Sequence, residues 1–79
     1  MMPEAEKPID LFAQLKHEAL YALRSRSRAL VYQCHGAALM AEQLKAINHE
    51  QGIALNTMLI RNGLNNPQYC RENFGGVLE

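Results

Sequence analysis

Residues 27–51 read SRALVYQCHGAALMAEQLKAINHEQ, the longest apolar-periodic segment of the chain. Leu30, Cys34, Ala37, Ala41, Leu44 and Asn48 follow one another at steps of 4, 3, 4, 3 and 4. That spacing keeps side chains on one face of an α-helix. Met40 and Ile47 widen the stripe, and Val31, Ala38 and Leu39 form a second apolar group beside it. Ala, Leu, Met, Glu, Gln and Lys dominate the segment, all strong helix formers. A helix apolar on more than one side is usually buried on more than one side. The pattern therefore predicts a central helix over 27–51 with neighbours on two flanks. Gly36 interrupts it at a cost of about 1 kcal/mol relative to alanine. With Ala37 and Ala38 it makes a patch of small residues where a second helix can approach. Leu30, Cys34, Gly36, Ala37, Met40 and Leu44 are accordingly the candidate dimer-interface residues.

On the N-terminal side, Pro8 and Asp10 are helix-start signals. Phe12, Leu15, Ala19 and Leu23 then share a face, which predicts a helix over 9–24 laid against the central one. Residues 1–7 read as a flexible polar tail. Between the two helices stands Arg24-Ser25-Arg26-Ser27-Arg28, with no Gly or Pro to force a break. Two serines able to cap a new helix favour a turn and a helical hairpin. The alternative is one helix over 9–51, about 65 Å long at 1.5 Å per residue, coverable only by another chain.

On the C-terminal side, Gly52 is placed to stop the central helix. A third helix over 53–62 draws core residues from Ile53, Leu55, Met58, Leu59 and Ile60, and Gly63 ends it. Asn66, Pro67 and Gly75 bracket a short helical turn over 67–73: N-cap, first position and stop. Gly75 and Gly76 are expected to release a flexible tail over 75–79. The expected fold is all-α: a single small domain over 1–79, a helical hairpin or three-helix bundle completed by dimerisation.

The whole chain has 79 residues and 48% hydrophobic residues, so it has the apolar content to fold. A domain of this size buries only about 60% of its unfolded surface and gains from a partner. No apolar run is long enough to span a membrane. The first ten residues carry Glu4, Glu6 and Asp10 and no apolar block, unlike a secretion signal. A cytoplasmic location is expected. Eight basic and eight acidic residues balance, which argues against a strongly electrostatic nucleic-acid binder. Two cysteines, Cys34 and Cys70, read as reduced, buried thiols.

Chemistry-bearing motifs are scarce. His35 and His49 lie 14 residues apart, about 21 Å along one helix, so they do not share an ion, and no CxxC or HxxxH occurs. No metal or other cofactor is expected. No glycine-rich phosphate loop or nucleophile–base set is present, and no enzyme activity is expected.

The leading expectation is a small non-enzymatic interaction protein, an adaptor, chaperone or inhibitor, that docks a helical face on a partner protein and forms a homodimer. Arg24, Arg26 and Arg28, with Tyr69 and Phe74, are the candidate partner-binding residues. The alternative is a small helix-turn-helix-like transcriptional regulator over 42–63, reading DNA bases with Asn56, Thr57 and Arg61. Its spacing is poor. The motif wants a small residue four positions before the turn glycine, and with Gly52 as that glycine the position holds Asn48.

Overall fold

A computed structural model describes residues 10–79. The expected 1–7 tail and the first position of the expected 9–24 helix lie outside that range.

Helix α1 spans Leu11–Arg24 and starts where Asp10 caps it, its carboxylate accepting the Ala13 N–H at 3.1 Å. Leu15, Ala19, Ala22 and Leu23 form its buried face. The helix ends at Ser25, and Arg26 takes the left-handed conformation, φ 54°. Ser27 then caps helix α2, Arg28–Gln43, by accepting the Leu30 N–H at 3.2 Å. The junction is thus a turn, and the first two helices form a hairpin. A left-handed non-glycine residue costs about 1–2 kcal/mol; here contacts made by Arg26 and its neighbours, described below, hold it.

The central helix is shorter than its apolar pattern predicts. It stops at Gln43, with Leu44 as C-cap and Lys45 left-handed at φ 61°. Asn48 is not part of its stripe. It is the N-cap of helix α3, His49–Asn56, and forms a reciprocal capping box with Gln51. Gly52 is therefore no helix stop: it lies buried inside α3, with the Glu42 carboxylate packed where a Cβ would stand.

The helix does not end at Asn62 either. From Thr57 to Leu64 the chain continues as a wider π-helical segment. Gly63 sits within this segment, where a Cβ would come 2.9 Å from Leu23 Cδ2 and 3.3 Å from the Met58 carbonyl. The absent side chain lets the segment close on α1. The Cys70 thiol donates to the Gly63 carbonyl at 3.3 Å. That bond supplies a partner for a carbonyl near the end of the segment.

Helix α4, Pro67–Phe74, follows the expected signals: Asn66 accepts the Tyr69 N–H, Pro67 opens the helix, and Gly75 closes it at φ 82°. Beyond it, the chain departs from the expected flexible tail. Leu78 is buried, and Glu79 pairs its backbone with the α1–α2 turn, donating to the Arg26 carbonyl at 2.8 Å and accepting from the Arg28 N–H at 2.9 Å. Leu78 gives the segment an apolar anchor that two preceding glycines concealed.

The core has two centres. One gathers Ala19, Ala22, Leu23, Val31, Leu59, Cys70 and Leu78 near the α1–α2 turn; the other gathers Leu15, Ala38, Ala41, Ile47 and Leu55 at the opposite end. From α2 the fully buried residues are Val31, Ala38 and Ala41. Of the dimer-interface candidates, Leu30 and Cys34 are half-buried, while Gly36, Ala37, Met40 and Leu44 face outward. The helix packs against α1 on one side and against α3 with its π-helical extension on the other, the two neighbours its pattern predicts. Among the described residues all regular structure is helical, and no helix is long and apolar enough to cross a membrane.

Candidate functional site

Large apolar side chains remain on the surface of α2 and α3. Tyr32 is 56% exposed, Leu39 50%, Met40 54%, Leu44 70% and Ile53 51%. Helical spacing sorts the α2 residues into two groups. Leu30, Ala37, Met40 and Leu44 share one outer face. Leu39 lies on another, between His35 and Glu42 in the helical row.

That second row borders α3. His35 Nε2 meets Asn56 Oδ1 at 3.1 Å, and His49 Nδ1 meets Glu42 Oε2 at 2.8 Å. On α3, Ile53 stands in the row between His49 and Asn56. Two polar ties across the α2–α3 seam therefore bracket two exposed aliphatic residues, Leu39 and Ile53. Both ties join α2 to α3 beside the aliphatic pair. Tyr32, 56% exposed, lies on the same side of α2 two turns before Leu39.

The first group borders a shallow cleft of about 350 Å³ between α1 and α2, lined by Glu18, Tyr21, Leu30, Gln33, Cys34 and Ala37. Its wall is mainly apolar, with Glu18 as the charged group. Burial, and then the nearby Glu18 carboxylate, push the Cys34 thiol up in pKa. Burial alone does the same to Cys70. Both effects keep the thiols protonated and weakly nucleophilic near neutral pH.

The sequence-derived site residues scatter. Arg26 donates to the Phe74 carbonyl at 3.3 Å, and Arg28 donates to the Leu78 carbonyl at 3.5 Å. Both side chains thus bind the chain's own 74–79 segment, while Arg24 stays exposed. Tyr69 and Phe74 stack edge to face at 5.9 Å between ring centres, with Tyr69 the more exposed. Of the three base-reading candidates, Asn56 is engaged by His35, Thr57 is half-buried, and Arg61 is exposed. The outer face of α3 presents His49, Glu50 and Ile53, which is not a cationic surface. The helix-turn-helix outline itself sits elsewhere than expected: its turn is 44–48, and Ala41 stands four positions before the left-handed Lys45.

Among the described residues no group of three or more His, Cys, Asp and Glu side chains converges on a metal-sized site. The seam ties of His35 and His49 are not legible in the sequence, because each joins α2 to a helix whose start the continuing apolar rhythm hides. The capping signal Asn48-x-x-Gln51 was the available clue.

What these elements define is a small four-helix protein with a π-helical extension of its third helix. No protein-family model, curated protein or solved structure matches the chain.

Proposed function

We propose that this is a non-enzymatic interaction protein that lays the α2–α3 seam against an apolar helical face of a partner protein. The observation that carries the reading is the bracketed pair Leu39 and Ile53, each about half exposed where two polar ties join α2 to α3. A soluble surface tolerates single exposed aliphatics, but a contiguous apolar patch with a polar rim is the anatomy of a protein contact. An adaptor, chaperone or inhibitor role fits a platform of this size, and homodimerisation through the outer face of α2 completes the assembly. A cytoplasmic setting accords with the two free thiols. Arg24 and Tyr69 remain available as rim contacts.

The test is affinity capture from native lysate with the wild-type chain and with Leu39→Asp and Ile53→Asp. Both positions are half exposed, so the substitutions spare the core. A stoichiometric partner retained by wild type and lost by both variants supports the seam. Equal retention by all three removes it.

The second reading is a DNA-binding regulator. The α2–turn–α3 outline and the exposed Arg61 favour it; the acidic and apolar outer face of α3 does not. It predicts binding that falls steeply with salt and weakens in Arg61→Ala.

A further inference from the structure

The outer face of α2 has a symmetry that the protein's own second copy would satisfy. Leu30, Cys34, Ala37, Met40 and Leu44 follow at steps of 4, 3, 3 and 4, the same in either direction from Ala37. In a two-fold interface, residue i meets residue j and j meets i. An antiparallel pair of α2 helices crossing at Ala37 therefore sets Leu30 opposite the partner's Leu44, and Cys34 opposite the partner's Met40. The crossing point carries the smallest side chains of the face. Ala37 is exposed, and nothing lies within 4 Å of where a Gly36 Cβ would stand. Two backbones can approach there.

The ends of the face are unlike and complementary. Next to Leu30 lies the α1–α2 cleft of about 350 Å³, walled by Tyr21, Cys34 and Ala37. At the other end Leu44 projects, 70% exposed, the most exposed of the large apolar side chains. The two-fold brings each projecting leucine to the other copy's cleft. Charge follows the same register. Glu18 stands on the cleft wall, and Lys45 comes directly after Leu44. Among the described residues neither Glu18 nor Lys45 has an ion-pair partner. The left-handed turn at Lys45, φ 61°, ends the helix there and leaves both Leu44 and Lys45 at the surface. A parallel pair would instead set Leu44 against Leu44 and Lys45 against Lys45, leaving both clefts empty and like charges together.

We infer that two copies of this chain associate through antiparallel α2 helices crossing at Ala37, each placing its Leu44 in the α1–α2 cleft of the other. The inference rests on the dimerisation in the functional reading above, and it adds the register, the orientation and the two seats. It leaves the Leu39–Ile53 seam facing away from the two-fold, free for a different protein.

The test uses the full purified chain, with no lysate. Light scattering is measured over a concentration series for wild type and for Leu44→Asp. In parallel, Ala37→Cys and Leu39→Cys are each placed in a Cys34→Ser background and treated with a short bismaleimide. The expected result is a wild-type mass near twice 8.9 kDa, with dimer affinity falling roughly 30-fold or more in Leu44→Asp, as for a central interface anchor. Ala37→Cys should cross-link efficiently and Leu39→Cys should not. Circular dichroism of each variant establishes that it is folded. Because positions 37, 39 and 44 are exposed, loss of the core is not expected. A wild-type chain that stays monomeric throughout overturns the inference and the homodimer in the functional reading. A wild-type dimer that keeps its affinity in Leu44→Asp, or cross-links at 39 and not at 37, overturns this arrangement alone. The seam is judged separately, by Leu39→Asp and Ile53→Asp capture.

Discussion

Gly63 shows how much one missing side chain decides here. Its apparent role in the sequence is to stop a helix; in the fold it is a packing residue. A methyl at Gly63 meets the Leu23 side chain and the Met58 carbonyl, and the latter cannot rotate away. Gly63→Ala is therefore expected to destabilise the protein by about 1–3 kcal/mol, in the range of core overpacking, measured as a lower urea midpoint at unchanged slope. Gly36 is the opposite case, open on its outer side. Composition treats the two glycines alike, and only tertiary contact separates them. The same holds for the arginines. Arg24, Arg26 and Arg28 look equivalent as a basic cluster, yet two of them bind carbonyls of the 74–79 segment. That pairing joins positions about fifty apart in the chain, a relation no local pattern contains.

At the scale of elements, the first and last helices were legible because their signals are local and unopposed. Asp10, Asn66, Pro67 and Gly75 act where the caps require them. The α2–α3 break was not legible, for a physical reason. Leu44 and Ile47 continue the apolar rhythm through the turn, and no glycine or proline marks it. The turn is specified instead by the Asn48–Gln51 capping box, with Ile47 buried just before it. The cap should therefore carry measurable stability: Asn48→Ala is expected to cost about 1 kcal/mol, while Asn65→Ala, an exposed position outside the helices, should change the melting point little. The π-helical segment was equally hidden. Leu55, Leu59 and Gly63 follow at four-residue steps and all reach the core, so the apolar rhythm runs through Asn56 without marking the change of helix type.

At the scale of the molecule, apolar residues exceed what the neighbours of α2 cover. The sequence displays the excess plainly, and residues 30, 34, 37 and 44 are its dimer-interface candidates. The structure leaves Ala37 and Leu44 outward and Leu30 and Cys34 half-buried, and it buries Val31 and Ala38 together with Ala41 of the first stripe. Both groups are apolar, so periodicity alone could not choose between them. The choice falls to α1 and α3, which cover the second group. Two apolar surfaces result, one on each side of α2. The face around Ala37 is self-complementary in its spacing. The seam around Leu39 and Ile53 is not, and it is rimmed by the His35–Asn56 and His49–Glu42 ties. On the reading proposed above, such a protein works by being held and by holding, and the nature of what it holds is the central claim.

That claim is tested most directly by capturing partners on the wild-type chain from native lysate split into nuclease-treated and untreated halves, with mass spectrometry of each. The account predicts one protein retained in stoichiometric amount in both halves. Recovery of proteins only in the untreated half would contradict it, and would move the function to nucleic acid with Arg61 as the first residue to change.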